Sequence, residues 1–247
     1  MKKIIIAVML ASAPVVLAAK GNSDWLAIEG RADADSKLDE SRRPVETLKF
    51  LGLKKGMVAL DYMAGGGYYA EIMAKAVGPK GKVAAWNPEA FVSDDKPKAK
   101  WAELSARNKN LTMTPAPFDG FDAPPKSYDF ALFHLVYHDL YWQSEQYKVP
   151  KTDPDAVLKR LYAAMKPGGI VGVVDHVGSA GDTRQTADKT HRIDPAVVKA
   201  DFARAGFKLV SESKHLHMEG DDYAKSVFDP ALRGKTDRFV FKFKKPR

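Results

Sequence analysis

An apolar run ending on an acidic residue and three consecutive glycines, Val58-Ala59-Leu60-Asp61-Tyr62-Met63-Ala64-Gly65-Gly66-Gly67, constrains this chain more than any other feature. An apolar run with little alternation is the pattern of a strand buried on both faces, as in a parallel sheet. Glycines directly after it let the backbone pass close to a ligand, and a helix begun there presents unpaired amides. Tyr69, Ile72, Met73, Ala76 and Val77 recur at three- and four-residue steps up to Gly78-Pro79, which predicts that helix.

The theme repeats along the chain. Residues 82–86, 111–114, 128–135 and 170–174 read as strands, and residues 41–51, 97–107, 155–165 and 195–205 as helices. Lys166-Pro167-Gly168-Gly169 reads as the turn into the strand at 170. Strands alternating with helices predict a Rossmann-like, doubly wound, mostly parallel α/β sheet, and 247 residues with 45% hydrophobic content need only one such core. After Gly206 the pattern changes. Residues 207–213 and 238–243 are strand-like, but the polar insert over 217–235 shows no helical crossover. They are expected to pair antiparallel at the sheet edge, completing seven strands.

The first stretch, MKKIIIAVMLASAPVVLAA, has two lysines, an apolar centre and small residues ending in Val16-Leu17-Ala18. That order predicts a secretory signal peptide, residues 1–18, removed after Ala18. A spanning helix needs about 20 apolar residues, and this run is shorter, with Pro14 inside it. The expected product is periplasmic or secreted, with no stable membrane insertion after cleavage. Residues 19–50 read as an N-terminal flap and helix, and 51–247 as the α/β domain. The chain has no cysteine, so disulfides and thiol chemistry do not enter. Its formal charge of +8 becomes +6 when Lys2 and Lys3 leave with the signal, and the excess is scattered. Lys96, Lys98 and Lys100, like Lys242, Lys244 and Lys245, are interspersed with apolar or small residues. A solvated helix face and a strand edge account for them, and no nucleic-acid partner is expected.

Asp61 through Gly67 resembles motif I of class I S-adenosylmethionine-dependent methyltransferases, where an acidic residue ends the first strand before a small-residue turn. Met63 stands where that family usually has a glycine. In family order, Gly81-Lys82-Val83-Ala84-Ala85-Trp86-Asn87 is similar to the second strand, with Asn87 in place of the carboxylate that holds the ribose hydroxyls. Asp119 stands where the family often contacts the adenine amine, a turn aspartate beside Gly120 being the other reading. Ser127-Tyr128-Asp129-Phe130-Ala131-Leu132-Phe133 is similar to the fourth strand, and Lys166-Pro167-Gly168-Gly169-Ile170 to the turn before the fifth. The resemblance implies S-adenosylmethionine as cofactor, held by Asp61, Ala64, Gly65, Gly67, Asn87 and Asp119, and a small-molecule methyl acceptor. Tyr137-His138-Asp139-Leu140, Asp175-His176, His191-Arg192-Ile193-Asp194 and Thr236-Asp237-Arg238-Phe239 further resemble a signal-peptide-bearing subgroup of predicted methyltransferases. The resemblance names a cofactor and not a substrate.

His138, His176 and His191 follow or adjoin the carboxyl ends of predicted strands, the rim where open α/β sheets bind ligands. With Asp139 they are the candidate catalytic residues. A neutral imidazole there can take a proton from the acceptor, and bracing of a loop is the other reading for each. By resemblance His138 is the one best placed toward the transferred methyl group. His134, Asp175 and His176 raise a divalent-metal reading in which two imidazoles and a carboxylate favour zinc or iron; the expectation adopted is a site without metal. Tyr137, Tyr141, Trp142 and Tyr147 either wall an apolar acceptor pocket or pack internally, and Tyr68 and Tyr69 open the first helix beside the cofactor. The expected activity is methyl transfer. The alternative is an exported, non-catalytic ligand-binding protein on the same fold, which Met63 and Asn87 favour. Mass spectrometry of the native protein is expected to find a chain beginning near Ala19; an intact Met1 start in the cytoplasmic fraction overturns export and leaves the fold reading untouched.

Overall fold

The computed structural model describes residues 24–247, and the expected signal peptide with its cleavage site lies outside them. Seven strands form one sheet: β1 (Val58–Tyr62), β2 (Lys82–Pro88), β3 (Leu111–Ala116), β4 (Tyr128–His134), β5 (Met165–His176), β6 (Lys208–Ser213) and β7 (Arg238–Lys244). Their order is β3-β2-β1-β4-β5-β7-β6. The first five run parallel, and β7 lies antiparallel between β5 and β6. This is the Rossmann-like α/β sheet with antiparallel C-terminal strands that the sequence leads one to expect. Hydrophobicity sets which C-terminal strand goes inside: β7 buries Phe239, Val240, Phe241 and Phe243, whereas β6 is exposed almost throughout and takes the edge.

The helices are α1 (Asp33–Ser36), α2 (Asp39–Arg42), α3 (Pro44–Leu51), α4 (Tyr68–Val77), α5 (Glu89–Val92), α6 (Asp95–Arg107), α7 (Pro154–Ala164), α8 (Thr183–Thr190) and α9 (Pro195–Arg204). Alternate residues of the strands face opposite layers. On one side Leu60, Tyr62, Phe133 and Val171 meet Leu158 and Leu161 of α7 and Phe202 of α9. On the other, Ala59, Phe130 and Leu132 meet Leu48 and Leu51 of α3, Ile72 and Met73 of α4, and Trp101 and Leu104 of α6.

Where the elements depart from the sequence reading, each departure has an identifiable cause. The helix expected over 41–51 is divided at Arg43, which takes a left-handed φ of 44° because Pro44 disfavours right-handed helical backbone in the residue before it. The helix expected to reach residue 165 stops at Ala164. The Lys166-Pro167-Gly168-Gly169 segment is not a separate turn but the irregular start of β5. Tyr128 pairs with Met165, the register shifts, and Gly168 and Gly169 exchange backbone bonds with Lys245. α8 escapes a periodicity reading because it is polar (TRQTADKT); its start is set by Asp182, whose side chain accepts from the Gln185 amide.

The insert between β6 and β7 contains neither helix nor strand, yet it is pinned in place. Asp237 accepts from the Tyr223 hydroxyl and the Met218 amide and bonds the His217 ring. Arg192, fully buried, donates to both carboxylate oxygens of the buried Asp221 at 2.7 and 2.9 Å, tying the insert to the segment after α8. Such a pair is costly to break, because the remaining partner is a buried charge without compensation. Asp221→Ala is therefore expected to lower the unfolding free energy by about 3–5 kcal/mol in chemical denaturation. A loss below about 1 kcal/mol would mean that other contacts hold the insert.

Candidate functional site

β1 delivers Asp61 to the carboxyl edge of the sheet, between β2 and β4, where the strand order reverses. In the turn beyond it, Met63 adopts φ 52°, Gly65 φ 55° and Gly67 φ 83°. Met63 thus takes the left-handed backbone that glycine adopts without strain, and its side chain is buried beside the Tyr62 layer. Gly67 is required twice over, by its φ and because a Cβ there would stand 2.5 Å from Leu104 Cδ1 of α6.

The turn is closed by the Gly67 amide donating to the Ala64 carbonyl. Asn87, at the end of β2, is buried; its carbonyl accepts from the Gly65 amide at 2.8 Å and its amino group donates to the Gly65 carbonyl at 3.3 Å. The Trp101 indole donates to the same carbonyl at 3.0 Å. The Asn87 amide thus holds the glycine turn, and a ribose hydroxyl would compete with Gly65 for it.

Over the turn lies a cavity of about 260 Å³ lined by Asp61, Ala64, Gly65, Tyr68, Tyr69 and His134, and closed by Asp35, Leu38 and Arg42 of the N-terminal segment. Burial pushes the Asp61 carboxyl up to about 7, against the opposing pull of the Ala70 amide and the Arg42 charge, and its Oδ2 has no hydrogen-bond partner. His134 Nε2 is also buried without a partner; burial, then the charges of Arg42 and Arg238, holds its pKa well below the usual histidine range. The Arg42 guanidinium rests over the Tyr68 ring at 4.4 Å. The Tyr68 hydroxyl donates to Asp39, which is paired with Arg31 at 2.6 Å, and Lys100 of α6 holds Asp35 at 3.0 Å. Arg42, Asp35 and Leu38 are site residues that sequence reasoning misses. The acidic run Asp33, Asp35, Asp39 and Glu40 is the only local signal of a charged flap, and it does not say what the flap covers.

Asp119 lies apart from this cavity. It is exposed at a second hollow of about 660 Å³ beyond the ends of β2 and β3, and its backbone carbonyl accepts from Arg160 at 2.7 Å.

The histidines form a third group, on the other side of the chain that leaves β4. His138 begins a 3-10 turn (His138–Leu140). Its amide and its Nδ1 contact the two oxygens of the fully buried Asp175 at 2.9 and 2.8 Å. His176 ends β5, with Nδ1 2.8 Å from the Thr236 hydroxyl. His191 is the left-handed residue that terminates α8. A parallel bridge between Val177 and Ile193 draws it in beside β5, and Gly178 permits that approach because a Cβ there would stand 2.9 Å from the Ile193 nitrogen. Asp139 stands between two of the rings, its Oδ1 3.3 Å from His138 Nε2 and 3.8 Å from His191 Nδ1. The four motifs that look unrelated along the chain thus converge on one wall.

These groups line a cavity of about 620 Å³ with Trp142, Tyr147, Val227 and Phe228. Leu135, at φ 59°, borders both this cavity and the one over the glycine turn. Of the candidate aromatics, Trp142 and Tyr147 wall the cavity, whereas the hydroxyls of Tyr137 and Tyr141 both donate to Asp201 in the layer beneath. Burial disfavours the His138 imidazolium, but the carboxylates of Asp175 and Asp139 outweigh it and carry its pKa to about 9. Burial takes His176 down to about 3, with Asp175 opposing. The two rings are thus shifted in opposite directions, His138 toward the protonated form and His176 toward the neutral form. His134, Asp175 and His176 do not form a ligand set: His134 faces Tyr69 in the glycine-turn cavity, Asp175 is occupied by His138, and His176 bonds Thr236. A further cavity of about 740 Å³ lies at the amino edge of the sheet around Lys55, Gly78 and Arg107, away from every candidate residue.

No protein-family model matches the chain, and no curated protein matches it. Solved structures do. A SAM dependent methyltransferase from Aquifex aeolicus superposes with a TM-score of 0.59 at 21% identity, over 87% of this chain and 99% of that one. The 1,6-didemethyltoxoflavin-N1-methyltransferase of Burkholderia thailandensis, crystallised with its substrate and S-adenosylhomocysteine, gives 0.54 at 17% identity over 98% and 94%. The [4+2]-cyclase SpnF gives 0.55 at 20% identity over 89% and 85%. The fold is therefore that of S-adenosylmethionine-dependent methyltransferases, a fold that also carries a cyclase.

The Asp61 carboxyl has a consequence for stability. The folded chain keeps a proton that the unfolded chain releases near pH 4, so the folded state binds more protons between about pH 4 and 7. Stability of the ligand-free protein should fall as pH rises through that window and level off above it. Asp61→Asn is expected to remove this slope and to raise stability at pH 8 by roughly 2–4 kcal/mol, measured by denaturation at pH 5 and pH 8. An unchanged slope would place the titrating group elsewhere.

Proposed function

We propose that this protein binds S-adenosylmethionine over the glycine turn and transfers its methyl group to a small-molecule acceptor in the aromatic cavity, after export to the periplasm. The observation that carries this reading is the buried, unpartnered Oδ2 of Asp61 in a cavity that Arg42 also lines. An orphaned carboxylate oxygen opposite a cation suits the ammonium and carboxylate of an amino-acid ligand, and S-adenosylmethionine ends in that group. When bound, the cofactor supplies a sulfonium methyl group for direct in-line displacement. Asp61 would accept the ammonium and Arg42 would hold the carboxylate. Leu135 lines both cavities, which places the acceptor cavity next to the glycine turn. Trp142 and Phe228 offer faces to an apolar, planar acceptor, and His138, held by Asp175, stands on the same wall to orient it. His176 and His191 line the same wall and are base candidates by position. No helix among the described residues is long and apolar enough to cross a membrane.

A second reading, a non-catalytic ligand-binding protein, is favoured by Asn87, whose amide is already bonded to Gly65. Calorimetry with S-adenosylmethionine separates the two. Binding by the wild type and at least tenfold weaker binding by Asp61→Ala, about 1.4 kcal/mol, support the first; no binding by a folded wild type supports the second. Once an acceptor is found among small phenols, amines and quinones, His138→Ala is expected to lower turnover roughly a hundredfold with cofactor affinity nearly unchanged. A fall in melting temperature with turnover following the folded fraction would make His138 a brace.

A further inference from the structure

We propose that His138, Asp139 and His191 form a binding site for one divalent transition-metal ion, zinc or iron(II), whose open coordination positions face the aromatic cavity. The ligand set differs from the His134, Asp175 and His176 group that the sequence suggests. The candidate ligand atoms all lie within 4.8 Å of one another. Asp139 Oδ1 is 3.3 Å from His138 Nε2 and 3.8 Å from His191 Nδ1. Tetrahedral coordination with bonds of about 2.0–2.1 Å sets ligand atoms roughly 3.3 Å apart. The first spacing already meets that value, and the His191 side has only to close.

Asp175 supplies an independent observation. It is fully buried and holds His138 through Nδ1 at 2.8 Å, so the opposite nitrogen, Nε2, is the one presented to Asp139. A carboxylate behind an imidazole fixes the ring and its tautomer and raises the basicity of the far nitrogen, which is how metal-ligating histidines are commonly supported. His191 is held edge-on against Trp142 and Phe228, with ring centroids 4.9 and 4.8 Å away. Two imidazoles and one carboxylate suit zinc or iron(II) better than the all-oxygen preference of magnesium or calcium. All three ligands line the cavity of about 620 Å³, leaving room there for an oxygen or nitrogen donor of a small molecule. The site goes beyond the cofactor reading and does not depend on it.

The test uses the tag-free protein, stripped with a chelator and titrated with zinc by calorimetry, with cobalt(II) as the visible-absorption probe of coordination. The expected result is about one equivalent of zinc and intense cobalt bands of low-coordinate geometry. Asp139→Asn and His191→Ala, both partly exposed positions, are expected to weaken zinc at least tenfold while remaining folded. Asp175→Asn should weaken it about 10–100-fold, and His217→Ala, outside the cluster, should leave it unchanged. Failure of the folded wild type to bind either metal overturns the proposal. So does binding that survives both Asp139→Asn and His191→Ala. S-adenosylmethionine affinity measured on the same metal-free preparation reports the cofactor site separately, so either reading can fail alone.

Discussion

Asp175, the last residue but one of β5, is fully buried, with both carboxylate oxygens occupied: one by the His138 amide, the other by the His138 ring and the His176 amide. Burial alone would raise its pKa, but the charge and hydrogen bonds of His138 outweigh burial and hold it below the usual carboxylate range. An ionised group surrounded by donors in a dry setting is a strong local constraint, because every donor withdrawn leaves charge uncompensated. Through it the turn after β4 is locked to the end of β5. His191 then reaches Asp139 only because the chain after α8 runs beside that same strand end. The buried Arg192–Asp221 pair and the cluster around Asp237 extend the lock into the insert that carries Val227 and Phe228 over the histidines.

Asp61, at the end of β1, is the counterpart in the opposite state. It too is buried, but one oxygen has no partner, and burial is the largest influence on it. The fold satisfies one strand-end carboxylate with its own donors and leaves an oxygen of the other unsatisfied beside the N-terminal segment. An unsatisfied carboxylate is destabilising in the ligand-free protein and becomes favourable when a cation arrives, which is the exchange of stability for affinity found at binding sites. The flap follows the same logic. Arg31, Asp39 and Tyr68 form a hydrogen-bonded set that fastens the N-terminal segment to the start of α4, leaving Arg42 over the cavity.

Much of the framework was legible along the chain. The apolar runs that become β1, β2 and β4, the periodic face of α4 and the switch to antiparallel pairing after Gly206 each rest on short-range patterns that burial on a sheet imposes. The site was legible only in part. Asp61, Gly65 and Gly67 stand together in sequence and in space, and Met63 was visible as a non-glycine residue in a glycine position, which appears in the fold as φ 52°. The orientation of Asn87 was not visible, because whether an amide faces a ligand or folds back onto Gly65 depends on side-chain direction at a strand end. The break at Arg43, the polar α8 and the absorption of the Lys166–Gly169 turn into β5 likewise depend on partners distant in sequence or on features that carry no hydrophobic period.

Sequence alone specified the layers, the strand class and the glycine turn, because these follow from which residues can be buried and which can turn, both of them local properties. Tertiary structure decided the chemistry. His138, Asp175 and His191 stand 37 and 16 positions apart along the chain, and their convergence depends on parallel strands ending at the same edge of the sheet. The same packing shifts two neighbouring imidazoles in opposite directions, His138 upward between two carboxylates and His176 downward by desolvation, as no residue type can do by itself. It also turned Tyr137 and Tyr141 inward to Asp201 and left Trp142 and Tyr147 at the cavity, a division that rests on the direction of side chains within one short irregular segment.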